Sequence, residues 1–527
     1  MPPSDTVTSG GPSSATSPDT FVDSADGGSP SASATGRVTN WGRSDWVITS
    51  LLFLVTALSR IPFRTVMLYA WDSVLYTRAI EHFDITLQQP QPPGHIFYVG
   101  LIWLVNHAFG NANTTMVWLS VFFAAAAVAA LYWLGRLMFG RDTGLAAALL
   151  LATSLSFWAL SEVAYPYTLL AFLSTLVAGM SYLVWQGSRA WVLPAALTLG
   201  IASGFRQDLL PFLLPLLAVV SWNKGRWRLA GAVALIAAAV AAWYVPSFLL
   251  SGGFDRYQEA SSTQTEYLMT YFSVFGQGAE AVFVNTYTLI RFSILALVAG
   301  GLLVPVFFLF SVSPGTRGML RDRRILFLAV WMAPSVLFYI FIHIGEYGYV
   351  FSFLPAALLL GVWALKNLAD RIAARTGKQP LRVMWALAAP MITFNMLLFL
   401  VLSPPLSANR IAARDDILRS KVDTIRQNFS PRNTLILSVF DYEAASYYLP
   451  EFNHWHFDPS VDQNPSTQVP PGIERVVVFE EYLSPSDPEI WLRLPLDRGQ
   501  TLLYSMPEVN KTLKVDWNAR KVYVENP

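Results

Sequence analysis

Cysteine is absent from the chain. Disulfides, thiolate metal centres and cysteine nucleophiles are therefore excluded. Histidine is scarce, six in all, and the six are scattered without ligand spacing, so no histidine-built metal site is expected. Charge is scarce as well. Only 13% of residues are charged, where a soluble globular chain carries about 25%. A deficit of that size means that most of the surface does not face water. Net charge is +1, which gives no electrostatic footprint for nucleic acid.

What fills the chain is apolar. Hydrophobic residues make up 54% and mean hydropathy is +0.41. A membrane-spanning helix needs about 20 mostly apolar residues, and about eleven such runs are expected. They lie near 46–63, 115–135, 144–160, 165–185, 191–205, 209–222, 229–250, 286–311, 325–343, 349–365 and 383–402. Residues 1–42 are Ser, Thr, Gly, Pro, Ala and Asp without apolar periodicity, the composition of a disordered tail. No small-residue cleavage site follows the first apolar run, so that run is expected to stay as a membrane helix.

Lys and Arg collect in cytoplasmic loops. From Thr115 onward, alternate loops are basic, with Arg136 and Arg141, Arg189, Lys224, Arg226 and Arg228, then Arg317 to Arg324, then Lys366 to Arg382. The other loops hold Glu162, Asp255, Glu259, Glu266, Glu280 and Glu346. Placing the basic set inside puts the segment after Leu402 outside, and Arg37 and Arg43 favour an inside N-terminus. An inside start and an outside finish need an odd number of crossings. The apolar segment 94–109 is then expected to lie at the outer interface without crossing, making 64–114 one large outer loop within a membrane domain at 43–404. After it, composition changes: 410–429 is a charged amphipathic helix pattern, 434–440 and 475–479 read as buried strands, and 514–517 with 521–524 reads as a hairpin around Asn518. Residues 405–527 are expected to form a small extracytoplasmic α/β domain.

Several residues sit on an unexpected side. Arg64, Arg78 and Arg206 fall at the outer face, where positive charge is disfavoured unless something anionic meets it. Local pairing, Arg206 with Asp208 or Arg78 with Asp72, is one reading. A phosphate at the outer leaflet is the other, because a guanidinium fork matches phosphate oxygens. Asp72 stands among aromatic and aliphatic neighbours, where burial would raise its pKa and suit it to act as a base. From local sequence alone it reads slightly more readily as a helix N-cap before 73–83. Glu162, His343, Glu346 and Tyr347 bring polar groups to the same face, as interfacial residues or as sugar ligands. Gln91-Pro92-Pro93-Gly94-His95 is a rigid turn.

In order, these pieces resemble a known superfamily. W-D-S-V-L-Y at 71–76 is followed by Q-P-P-G-H-I-F-Y at 91–98 and an Ala-rich span ending L-G-R-L-M-F-G-R-D. Then come F-W-A-L-S-E-V-A-Y-P-Y-T-L-L-A-F, G-I-A-S-G-F-R-Q-D-L-L-P-F and W-Y-V-P-S-F. This set is similar to the GT-C membrane glycosyltransferases, in particular the protein O-mannosyltransferase-like branch with the DUF2723 domain, over 46–250. The family's second acid, three residues after its first Asp, is here Leu75; its His before Pro-Pro-Gly is Gln91; its next His aligns with Arg206. The resemblance implies a polytopic GT-C fold with a catalytic first outer loop. It implies transfer of a hexose or pentose from a polyprenyl-phosphate donor to a lipid, polysaccharide or protein hydroxyl, with inversion. Asp72 would be the general base; Arg206, Arg78 and Arg64 would meet the donor phosphate; Glu162, Gln91, His95, His343, Glu346 and Tyr347 would hold sugar or acceptor. No cofactor is required by this reading, and the sequence does not support a divalent metal. The expected location is the plasma (inner) membrane of the cell envelope, multi-pass. A transporter or flippase of an anionic or lipid-linked substrate is the competing class, distinguishable by repeated halves, of which none is seen. A non-enzymatic scaffold would leave the outer arginines unexplained.

Overall fold

The computed structural model describes residues 42–298, 300–306, 322–438, 441–456, 465–479, 504–506 and 511–525. Residues 1–41 of the tail expected at 1–42, with Arg37, and the loop residues Arg317 and Arg321 lie outside the described residues. The membrane portion is built from α1 (Arg43–Arg60), α2 (Trp71–Glu81), α3 (Ile96–Phe109), α4 (Ala112–Phe139), α5 (Arg141–Thr153), α6 (Leu155–Leu160), α7 (Tyr167–Trp185) and α8 (Val192–Phe205). It continues with α9 (Leu209–Ser221), α10 (Arg226–Leu250), α11 (Phe254–Tyr271), α12 (Val274–Ala296), α13 (Arg323–Phe341), α14 (Leu354–Thr376) and α15 (Pro380–Leu400). The chain is a polytopic helical membrane protein.

Among the described residues, six helical segments are long and apolar enough to cross a membrane: Arg43–Phe63, Ala112–Phe139, Tyr167–Trp185, Arg226–Leu250, Arg323–Phe341 and Pro380–Leu400. The other expected spans are shorter, interrupted or charged. The run at 144–160 breaks at Ser154, which leaves helical geometry and sends its hydroxyl to the Ala296 carbonyl at 2.9 Å. The run expected at 286–311 belongs to a helix that starts earlier, at Val274, bends at Gly278 and ends at Ala296; residues 307–311 lie outside the described residues.

Burial sorts the helices into centre and rim. Of the apolar window of α7, 78% is buried, and of α4, 61%, against 17% for α1 and for α10. The exposed side of α1 is Trp46, Val47, Leu51, Leu54, Val55 and Leu58, an apolar exterior that suits lipid. The centre is tight because small residues let backbones meet. A Cβ on Gly144 would come within 2.5 Å of the Arg136 nitrogen, and one on Gly135 within 2.7 Å of the Gly144 Cα.

Helix α3 is tied at both ends to the same end of the bundle. Its first residues follow His95, whose ring meets Tyr76 of α2. At its far end, Asn106 accepts a hydrogen bond from Thr115, while Asn113 donates to the Thr65 carbonyl at 3.0 Å. Thr65 in turn donates its N–H to the Glu162 carbonyl. At 14 residues, α3 measures about 21 Å at 1.5 Å per residue and is, with α8 and α9, one of the shorter apolar helices.

After α15 comes α16 (Ala408–Asn428), then β1 (Thr434–Ser438), α17 (Tyr442–Tyr448), β2 (Asn453–His456), β3 (Ser466–Gln468), β4 (Arg475–Val478), β5 (Tyr504–Met506), β6 (Lys511–Asp516) and β7 (Lys521–Glu525). β2, β1 and β4 form a parallel sheet in that order, and β3, β7, β6 and β5 an antiparallel one. β1 is buried along its whole length, as a parallel strand covered on both faces must be.

Candidate active site

Helix α2 starts without a side-chain cap. Ala70 is the N-cap and Asp72 is the second helical residue, so Asp72 is not the cap that its position allowed. Leu75 and Tyr76 follow it at three and four residues, the spacing that places side chains on one helix face. All three line one cavity of about 530 Å³. The opposite face of α2 is fixed by Ser73, whose hydroxyl donates to the Ala164 carbonyl at 2.7 Å.

The second wall is the turn 90–95. Gly94 has φ +110, and a Cβ there would sit 3.0 Å from Ile85 and Phe83, so only glycine fits the turn. Tyr257 of α11 donates to the Pro93 carbonyl at 2.8 Å. Gln91 and His95 face the cavity, and His95 Nδ1 lies 2.9 Å from the Tyr76 hydroxyl.

The third wall is the turn between α8 and α9. Arg206 Nε donates to Asp208 at 3.0 Å, one of the local pairs anticipated. Its guanidinium lies 4.8 Å from the Tyr349 ring centre and 5.1 Å from that of Tyr167. Burial disfavours the Arg206 cation, and Asp208 together with Tyr167, Tyr349 and Tyr76 more than restores it. Around it are buried polar atoms without a partner among the described residues: both amide atoms of Gln207, one oxygen of Asp208 and Nδ1 of His343. Such orphaned groups cost free energy unless something binds them. Helix α11 and the end of α13 close the remaining side, with Gln264, Tyr267 and Tyr339.

Burial dominates the electrostatics. It raises the Asp72 carboxyl above its ordinary value, and Arg206 opposes the shift. Burial and the Arg206 charge push His95 down to about 3 and His343 to about 4, so both are neutral at physiological pH. Glu346 is pushed up to about 7, by burial first and then by the Asp72 charge.

Of the residues singled out in the sequence, Asp72, Gln91, His95, Arg206 and His343 share this cavity. Glu346 stands near Asp72 but hydrogen-bonds to Tyr165. Four others do not line it. Arg78 forms an ion pair with Glu443 at 2.7 Å rather than with Asp72. Arg64 donates to the Ile61 carbonyl and covers the Trp118 ring. Tyr347 accepts from Arg291 and packs on Phe292. Glu162 accepts from Trp158 Nε1 at 2.6 Å and faces the buried Arg60, which hydrogen-bonds Ser161 and the Ala152 carbonyl. These placements follow from packing: Glu162, Arg64 and Tyr347 found neighbours within the membrane portion, and Arg78 on the C-terminal segment. Sequence reasoning missed Tyr76 and the whole polar face of α11. The first carried a signal, its i+4 spacing from Asp72; the second reads as an ordinary polar loop. Among the described residues no cluster of three His, Asp or Glu could hold a metal ion.

Residues 91–250 match the family model described as dolichyl-phosphate-mannose-protein mannosyltransferase. The fold is similar to the crystal structure of ArnT from Cupriavidus metallidurans bound to undecaprenyl phosphate, with TM-score 0.51 and 13% identity over 92% of this chain and 98% of that one. The apo form of that protein matches at TM-score 0.49, also with 13% identity, over 91% and 98%. No curated protein matches the sequence. The GT-C, protein O-mannosyltransferase-like character read from the ordered motifs is borne out by the family match, and the GT-C fold by the structural likeness.

Proposed function

We propose that this chain is an inverting glycosyltransferase that takes a sugar from a polyprenyl-phosphate carrier at the outer face of the membrane. The observation that carries the reading is that Asp72 and Arg206 line one cavity, a buried carboxyl with a raised pKa beside a cation held in an aromatic cage. The acceptor hydroxyl gives its proton to the Asp72 carboxylate. Its oxygen forms a bond to the anomeric carbon as that carbon's bond to the phosphate oxygen breaks. The bonding pair leaves with the lipid phosphate, and Arg206 stabilises the charge that grows there. Attack opposite to departure inverts the anomeric centre. A positioned base of this kind contributes about 10²–10⁴-fold.

The ArnT structure that this fold resembles carries undecaprenyl phosphate, which supports a polyprenyl-linked donor here. The family match over 91–250 supports sugar transfer. Arg78, Arg64, Glu162 and Tyr347 are left outside the donor site in this reading, because they have other partners. Gln91, His95 and His343 remain as sugar ligands; the two histidines, being neutral, can each donate and accept. A second, polar cleft of about 410 Å³ borders the first through Pro92 and Gln264, lined by Thr86, Gln88, Arg256, Glu259 and Thr263. It gives the acceptor an approach from water while the carrier lipid stays in the bilayer. The reading assigns no cofactor and places the chain in the plasma (inner) membrane.

The test is sugar transfer by purified Asp72→Asn protein in lipid nanodiscs, with labelled polyprenyl-phosphate sugars as donors. A loss of about 10²–10⁴-fold in kcat with intact donor binding is expected. Undiminished transfer would remove Asp72 as the base, and retention of anomeric configuration in the product would overturn the single-displacement step.

A further inference from the structure

The short segment that carries Asp72 is not held by the membrane helices alone. Three consecutive backbone donors just ahead of α2 are received by side chains from the C-terminal part of the chain. Asp415 of α16 accepts from Met67 N–H at 2.7 Å and from Val66 N–H at 3.1 Å. Tyr448 of α17 accepts from Leu68 N–H at 2.7 Å. Arg414 lies 4.6 Å over the Tyr69 ring. The Met67 side chain packs into a cluster with Val422, Ile425 and Phe452. At the other end of α2, Arg78 pairs with Glu443 at 2.7 Å and donates to Ser446 at 2.7 Å. The helix bearing Asp72 is thus gripped before its first turn and in its last turn by α16 and α17.

We propose that the C-terminal segment 408–448 is a clamp that sets the position of Asp72, with Asp415 and Arg78 as its positioning residues. The inference rests on Asp72 being the base. The physical ground is that a carboxylate acts as a base only within hydrogen-bond reach of its proton, and a displacement of about 1 Å costs on the order of 10²-fold. Without these side chains the three N–H groups would have to turn to water, leaving the segment free to shift. A carboxylate accepting two of them makes short, charge-assisted bonds. The clamp also explains Arg78, an outer arginine that the cavity does not use.

The experiment compares Asp415→Ala, Arg78→Glu, Glu443→Arg and the Arg78→Glu/Glu443→Arg double variant, all full-length in nanodiscs and normalised to folded protein by gel filtration. The single variants are expected to lose about 10²-fold in kcat with donor KM unchanged, because Arg206 and the walls other than α2 stay in place. Their acid limb should move down in pH: a loosened α2 exposes Asp72 to water and relieves the burial that raises its pKa. The double variant restores the ion pair and should recover both kcat and the pH profile. Wild-type kcat in both Asp415→Ala and Arg78→Glu would overturn the proposal, as would losses that follow the folded fraction with an unmoved pH profile and no recovery in the double variant. Asp72→Asn run alongside separates the two readings. If it is inactive while the clamp variants are normal, only the clamp fails; if it is fully active, the base assignment fails first.

Discussion

At the scale of single residues, the site sets a strong carboxyl response against a nearby cation. Burial lifts the Asp72 pKa and Arg206 holds it down. Removing the cation must therefore raise it further. In Arg206→Gln, the acid limb of kcat/KM is expected to move to higher pH, since the ionised base is reached later, and kcat at the plateau should fall because the leaving phosphate loses its partner. Arg206→Lys should keep most of the pH profile but little of the plateau, for an ammonium is a point charge without the guanidinium fork. Rates across pH on both variants decide this; an unmoved acid limb in Arg206→Gln would show that another group titrates. His95 and His343, at about 3 and about 4, contribute no transition near neutrality. Asp72 and Arg206, which line one cavity, stood out in the sequence because each reads as costly where it stands, a carboxyl among aromatics and a guanidinium at the expected outer face. Glu162 and Arg64 looked equally costly. Their partners, Arg60 and the Trp118 ring, lie across helix interfaces that no local spacing reveals.

At the scale of elements, the central helices owe their contact to missing side chains. α4 and α5 meet at Gly135 and Gly144, where neither has room for a Cβ. Gly144→Leu must push the pair apart and is expected to cost about 1–3 kcal/mol or more, read as a lower Tm in detergent, while Gly187→Ala, at a turn where a Cβ meets nothing within 4 Å, should pay only for its φ of +108. Equal melting of the two would count against the tight contact. The long apolar helices were readable from composition, because lipid demands uninterrupted apolar length. The breaks were not. Ser154 ends α5 by finding a carbonyl on α12, a partner 142 residues away, and Gly278 bends α12 in a region that reads as loop. That α3 lies at the interface remains an expectation, drawn from the odd number of crossings that an inside start and an outside finish require.

At the scale of the whole molecule, the charge pattern makes a directional claim. The cavity and α11 should face outside, and the α14–α15 loop inside. A chain with no cysteine is already suited to the test. Gln258→Cys, exposed on α11, should react with an impermeant maleimide on intact cells, whereas Lys378→Cys should react only after permeabilisation; the reverse pattern would place the cavity in the cytoplasm. The C-terminal sheets were partly readable from their apolar strands, but the bearing of α16 on the site was not, for Asp415 meets Val66 and Met67 from 349 and 348 residues away. That contact has a consequence for biogenesis. α16 and α17 follow α1 to α15 in the chain, so those fifteen helices are made while the segment bearing Asp72 is still unlatched. Under the clamp, a chain interrupted before α16 would be an inert helical bundle rather than an unfinished but working transferase.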